Sequence, residues 1–118
     1  MSMTIEDVAR VAHEVNLAYC QSIGDYSHVE WDKAPQWQRD AAIRGVEIHL
    51  KDNLTPDVSH KQWMFGMIAD GWTFGQQKDP EAKKHPCLVH YPYLPREQQI
   101  KDHIFVAVVR SLRNQVQS

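Results

Sequence analysis

Between positions 60 and 91 the chain gathers the side chains best suited to chemistry. His85, Cys87 and His90 follow one another as His-x-Cys-x-x-His, a set that could seed a metal site completed by His60, His13 or Cys20. The spacing matches none of the common zinc patterns. Pro86 interrupts the backbone between the first two, and strand alternation would turn residues 87 and 90 to opposite faces, so a buried, inert thiol is the expectation and no metal is assigned. A Cys87 nucleophile with His85 or His60 as base lacks any signal of a lowered thiol pKa or an oxyanion hole. The carboxylate pairs Glu6-Asp7 and Asp79 with Glu81 read as a helix first turn and a solvated loop. Gly71 and Gly75 are not set as a phosphate loop. The chain is therefore expected not to be an enzyme, and no cofactor is expected.

What survives is aromatic and cationic. Trp63, Trp72, Phe74, Tyr91 and Tyr93 stand near Lys78, Lys83 and Lys84. Indole and phenol faces stack a flat base for about 1–3 kcal/mol, and ammonium groups neutralise phosphates, so the combination suits an adenine-like ligand. The competing expectation is plain: tryptophan and tyrosine are more often core than ligand contact, and lysines more often a solvated loop face.

Elements must position these groups. Trp72 to Phe74 and Cys87 to Tyr91 read as two short extended pieces around Lys78 to Pro86, where Asp79-Pro80 and His85-Pro86 force turns. An antiparallel, long-looped hairpin is expected. Thr4 caps a first helix carrying Ile5, Val8, Ala12, Val15 and Tyr19 until Gly24. Pro35 opens a second, with Trp37, Ala41, Arg44 and Ile48 on one face and Gly45 marking close helix contact. A third starts at Thr55-Pro56 or at Ser59-His60-Lys61-Gln62 and ends at Gly71. Pro95 opens the last, whose stripe is Ile100, Ile104, Phe105, Val108, Leu112 and Val116. The fold class is α+β: one mostly helical domain over residues 1–118, about four helices packed on a small antiparallel hairpin or sheet.

Composition limits the partners. With 118 residues, 42% apolar and 24% charged, the chain has the balance of a globular domain. Its net charge of -2 gives no bulk attraction to nucleic acid or membrane. The apolar run Ile104 to Val109 is too short to span a bilayer and the start lacks a signal peptide's regions, so a cytoplasmic location is expected. Cys20 and Cys87 then read as reduced thiols.

Ser59-His60-Lys61-Gln62-Trp63, Asp70-Gly71-Trp72-Thr73-Phe74-Gly75, Lys78-Asp79 and Lys84-His85-Pro86-Cys87-Leu88-Val89 with Tyr91 and Leu94 resemble the RyR domain, the module repeated in the cytoplasmic shell of ryanodine-receptor channels. The flanks, Ala9 to Gly24, Trp31 to Leu50 and Lys101 to Leu112, look like its stand-alone bacterial or phage forms. The resemblance implies a compact α+β unit and a domain, not a channel. It also implies a cleft for adenine nucleotides, with Trp63 stacking the base and Lys78 nearby, and a nucleotide-derived messenger as partner in microbial forms. Phe74 stands where the family has tyrosine, and one copy stands where the channels pair two, so the resemblance implies a homodimer if two copies are needed. The expected binding set is Trp63, Lys78, Trp72, Tyr91, His60 and Lys84; the alternative is a protein-interaction module with no small-molecule ligand.

Overall fold

The computed structural model describes residues 2–116, and these form four α-helices: α1 Ile5–Ser22, α2 Gln36–Lys51, α3 Pro56–Ala69 and α4 Arg96–Leu112. Each starts where the chain supplies a start signal. Thr4 and Asp7 make a reciprocal capping box: the Asp7 amide donates to Thr4 Oγ1 at 3.0 Å, and the Thr4 amide to Asp7 Oδ2 at 2.9 Å. Pro35 and Pro95 stand one position outside α2 and α4 as N-caps, while Pro56 is the first residue of α3. Of the two starts offered for α3, Thr55-Pro56 is the one used; Ser59 lies inside the helix, its hydroxyl 3.0 Å from His49 Nε2. At the far end Gly71 takes φ +94°, the left-handed conformation that glycine accepts without a Cβ clash.

The first core lies where α1, α2 and α4 meet. Val8, Ala9, Trp31, Val46 and Val109 are buried there, with Phe105 and Leu112 packed against them. Trp31 comes from a short 3₁₀ turn, Trp31–Lys33, and its amide is held by Glu14 Oε2 at 2.8 Å. Gly45 does mark a close contact: a Cβ there would stand 3.0 Å from Phe105 Cζ on α4. The second core is smaller. Met67 of α3, Trp72 and Leu88 are buried, with Trp37, Trp63 and Met64 around them.

The sheet differs from the expected antiparallel hairpin. Its strands, β1 Thr73–Phe74 and β2 Lys84–His85, run parallel, with Thr73 opposite Lys84 and Phe74 opposite His85. The tight antiparallel reversal sits inside the connecting loop, where Asp79 and Lys84 exchange both backbone hydrogen bonds at 2.9 Å and Lys83 takes φ 54°. Because that local turn uses one edge of Lys84, the chain meets β1 on the other edge, already heading the same way. Residues 87–91 add no strand; Tyr91–Tyr93 form a 3₁₀ turn before α4. Among the described residues no helix is long and apolar enough to cross a membrane.

Trp31→Ala should cost about 3–5 kcal/mol of unfolding free energy in urea titrations, the range for emptying a buried aromatic site. Thr4→Ala should cost about 1 kcal/mol. A Trp31→Ala loss below that of Thr4→Ala would contradict this division of the core.

Candidate functional site

Between the two cores the helices leave a cleft of about 400 Å³, within the range of small-molecule sites. Its walls take Ala12, His13 and Asn16 from α1, Trp37, Ala41 and Gly45 from α2, His60 and Trp63 from α3, and Gln98, Lys101, Asp102 and Phe105 from α4. Lys78, His85, Pro86 and Cys87 close it from the loop and β2, and Asp25 and His28 from the segment after α1.

The aromatic side of the cleft is built on His60. This residue is 4% exposed, and its Nε2–H donates to the Val89 carbonyl at 2.8 Å. A carbonyl only accepts, so Nε2 carries the proton, and in the neutral ring Nδ1 turns a lone pair toward Asp102, 3.8 Å away. Trp63 is half-buried: His60 stacks on it at 5.5 Å and His85 meets it edge-on at 5.0 Å. Trp37 supplies a second indole in the wall. Lys78 is exposed as a residue, but its ammonium group turns into the cleft and lies 5.3 Å from the Trp37 ring centroid, a cation–π contact.

The titratable groups are held away from water. Burial pushes Asp102 up to about 7, with Lys101 offsetting only part of that. Burial, then the charges of Lys78 and Lys101, lowers His85 to about 4, so its ring is neutral at physiological pH. The Cys87 amide donates to His85 Nδ1 at 3.1 Å, which leaves the ring proton on Nε2. Burial also lowers the Lys78 ammonium, and Lys101 adds to it by like-charge repulsion. The thiol of Cys87 is pushed up by burial, the opposite of what a nucleophile needs.

Of the six residues expected from the sequence, Trp63, Lys78 and His60 line this cleft, and three do not. Trp72 is 4% exposed in the second core, packed on Trp37 at 4.6 Å, because its neighbours Met67 and Leu88 offer apolar burial. Tyr91 lies 6.2 Å behind His60 and pairs its hydroxyl with His103 Nε2 at 3.2 Å. Lys84 is exposed and donates to Thr73 Oγ1 at 2.7 Å across β1 and β2. Sequence reasoning missed Trp37, Lys101, Asp102 and Asn16. Helical phase puts Trp37, Ala41, Ile48 and Gly45 on one wall, but only the crossing of α2 and α4 shows that this wall faces charged groups. Asn16 Oδ1 is buried without a hydrogen-bond partner.

The metal question changes place. His85, Cys87 and His90 do not converge; His90 is exposed and outside the cleft. Cys20, Asp25 and His28 do, with one donor atom from each within 4.8 Å of the others. Ser27 holds Asp25 Oδ1 from its amide at 3.0 Å and its hydroxyl at 2.6 Å, and Oδ2 lies 3.5 Å from His28 Nε2. That donor set suits zinc, but the charges of Lys78 and Lys101 bear on both Cys20 and His28. Positive charge beside the trio works against a second cation there, while the Asp25 carboxylate works for one.

A four-helix domain with a small sheet, and an aromatic cleft carrying unneutralised polar groups, has the architecture of a binding or interaction domain. The model of the RyR domain family matches residues 47–113, over half of the chain, and the chain belongs to that family. The match takes in the last turn of α2, all of α3, both strands and α4; α1, which contributes His13 and Asn16 to the cleft, lies outside it.

Asp102 sets a pH dependence with a definite sign. Its folded pKa lies above the ordinary 3.8, so the folded state holds the proton over a window where the unfolded chain has lost it. Stability is fully present below that lower value and falls as pH rises through about 7. Asp102→Asn removes this slope, so its stability relative to the unaltered chain should rise by a few kcal/mol, on the order of 1.4 per pKa unit, as pH rises from the lower pKa to the upper. His85 acts in the opposite direction: its depressed pKa removes stability as pH falls from 6.5 toward about 4. Urea titrations across pH read both, and an unchanged difference between Asp102→Asn and the parent would contradict the burial of the carboxyl.

Proposed function

We propose that this domain binds a nucleotide or a nucleotide-derived signalling molecule in the cleft without transforming it, and acts as a sensor or a sequestering protein. The observation that carries the reading is the meeting of Trp63, Lys78 and His60 on the wall of one open cleft of about 400 Å³. An indole face for a base and an ammonium group for a phosphate are the two contacts such a molecule needs. Asn16 supports the same reading: a buried amide oxygen without a partner costs about 1–3 kcal/mol, and an exocyclic amino group can supply the missing donor. The raised thiol pKa of Cys87 supports binding over catalysis.

All walls of the cleft come from one chain, so the reading does not require a second copy. A symmetric homodimer remains part of the proposal as the counterpart of the paired repeats in the channels. The balanced charge supports a cytoplasmic partner of small size rather than nucleic acid or a membrane.

One observation favours a second reading. Phe65 and Ile68 on α3 and Phe74 on β1 are all more than half exposed, an apolar set that a protein partner would cover. The two readings part on Trp63. Titrated by calorimetry with ATP, ADP-ribose and cyclic nucleotides, the protein should release heat with at least one, and Trp63→Ala should weaken that ligand at least tenfold while remaining folded. No heat and no thermal shift with any of them would leave the interaction module as the better account.

A further inference from the structure

The chain leaves α1 through a turn that folds it back on the helix end. The Ile23 amide caps the Tyr19 and Cys20 carbonyls, Gly24 takes φ +85°, and the Asp25 amide returns to the Cys20 carbonyl at 2.9 Å. Asp25 and, three residues on, His28 are thereby held beside the Cys20 side chain. One donor atom from each of the three lies within 4.8 Å of the others. Asp25 Oδ2 and His28 Nε2 stand 3.5 Å apart, too far for a good hydrogen bond. Two such atoms bound to one zinc at about 2.0–2.1 Å and the tetrahedral angle stand about 3.3–3.4 Å apart, so the spacing suits a shared ion. The remaining carboxylate oxygen is already engaged: Asp25 Oδ1 accepts from the Ser27 amide at 3.0 Å and from its hydroxyl at 2.6 Å. That outer pair fixes the carboxylate and leaves Oδ2 to face the histidine.

A thiolate, an imidazole nitrogen and a carboxylate oxygen form a donor set for zinc; magnesium and calcium take oxygen ligands. We propose that Cys20 Sγ, Asp25 Oδ2 and His28 Nε2 form a zinc site with three protein ligands, whose fourth position opens onto the cleft. Cys20 is fully buried and closes the inner side, whereas Asp25 and His28 line the cleft wall. Three protein ligands and one open position are the pattern that accepts a water or an atom of a bound molecule. When zinc enters, the Cys20 S–H bond breaks, the proton leaves to solvent and the Zn–S bond forms. The charges that bear on the trio are the ammonium groups of Lys78 and Lys101 and the Asp25 carboxylate itself. Without the ion the trio carries one negative charge, from Asp25; with it the thiolate and carboxylate balance the two charges of zinc. The lysines thus lose one attraction and meet no net positive charge, a cost that lowers affinity without closing the site. The inference stands whether or not the cleft takes a nucleotide.

The test titrates the full chain, treated with a chelator, with cobalt(II) followed by optical absorption, and then with zinc as competitor. One equivalent of cobalt should give a thiolate-to-cobalt charge-transfer band in the near ultraviolet and the intense visible bands of a four-coordinate ion, and zinc should bleach both. Cys20→Ser should abolish the charge-transfer band. Asp25→Asn and His28→Gln, at positions outside both cores, should each weaken cobalt at least tenfold with an unchanged circular dichroism spectrum. Should Cys20→Ser fail to fold, these two variants decide alone. Absence of the band, a band lost in Cys87→Ser but kept in Cys20→Ser, or unchanged affinity in both Asp25→Asn and His28→Gln would overturn the proposal.

Discussion

The imidazole of His60 joins two stretches of chain that lie far apart in sequence, and the site is assembled around that join. Its Nε2–H bonds the Val89 carbonyl, which ties the irregular run between β2 and α4 to the middle of α3. With that run fixed, Leu88 enters the second core, and His85 comes to rest against the edge of Trp63. The other nitrogen of the same ring faces Asp102 on α4. One buried side chain therefore sets a tautomer, positions an aromatic wall and places a carboxyl, and its cost of burial is offset by a hydrogen bond that only one protonation pattern allows.

The second organising fact is electrostatic. A domain of this size has net stability on the order of 5–15 kcal/mol, yet it keeps Lys78, Asp102 and His85 in surroundings that disfavour their charged forms. Groups perturbed this way, gathered in one cleft, make it the candidate site. The first core, centred on Trp31, Val8 and Val109, lies apart from them and carries the packing. Division of labour between the two cores explains how the cleft can remain open.

Much of the fold could be read from residue order because its punctuation is local. Thr4 with Asp7, and the prolines at 35, 56 and 95, act on the backbone next to them, and three helix starts followed to within a residue while α3 took the first of its two offered starts. The sheet was misread for a corresponding reason: direction depends on which edge of Lys84 is free, and that was decided by the Asp79 pairing inside the loop. The site was legible by half. His60, Lys78 and Trp63 stand in a motif, whereas Trp72 and Tyr91 look the same in sequence and are placed elsewhere by packing. Lys101 and Asp102 could not be found from spacing, since their importance comes from how α4 crosses the cleft and not from their neighbours in the chain.

The central claim is that the cleft between the two cores is the seat of a nucleotide-like ligand. A crystal structure of the protein grown with an adenosine phosphate tests it most directly. The account predicts the base against Trp63 and the phosphate within hydrogen-bond reach of Lys78. Density for the ligand on the outer face of α3, or a cleft filled by side chains with the ligand absent, would contradict it.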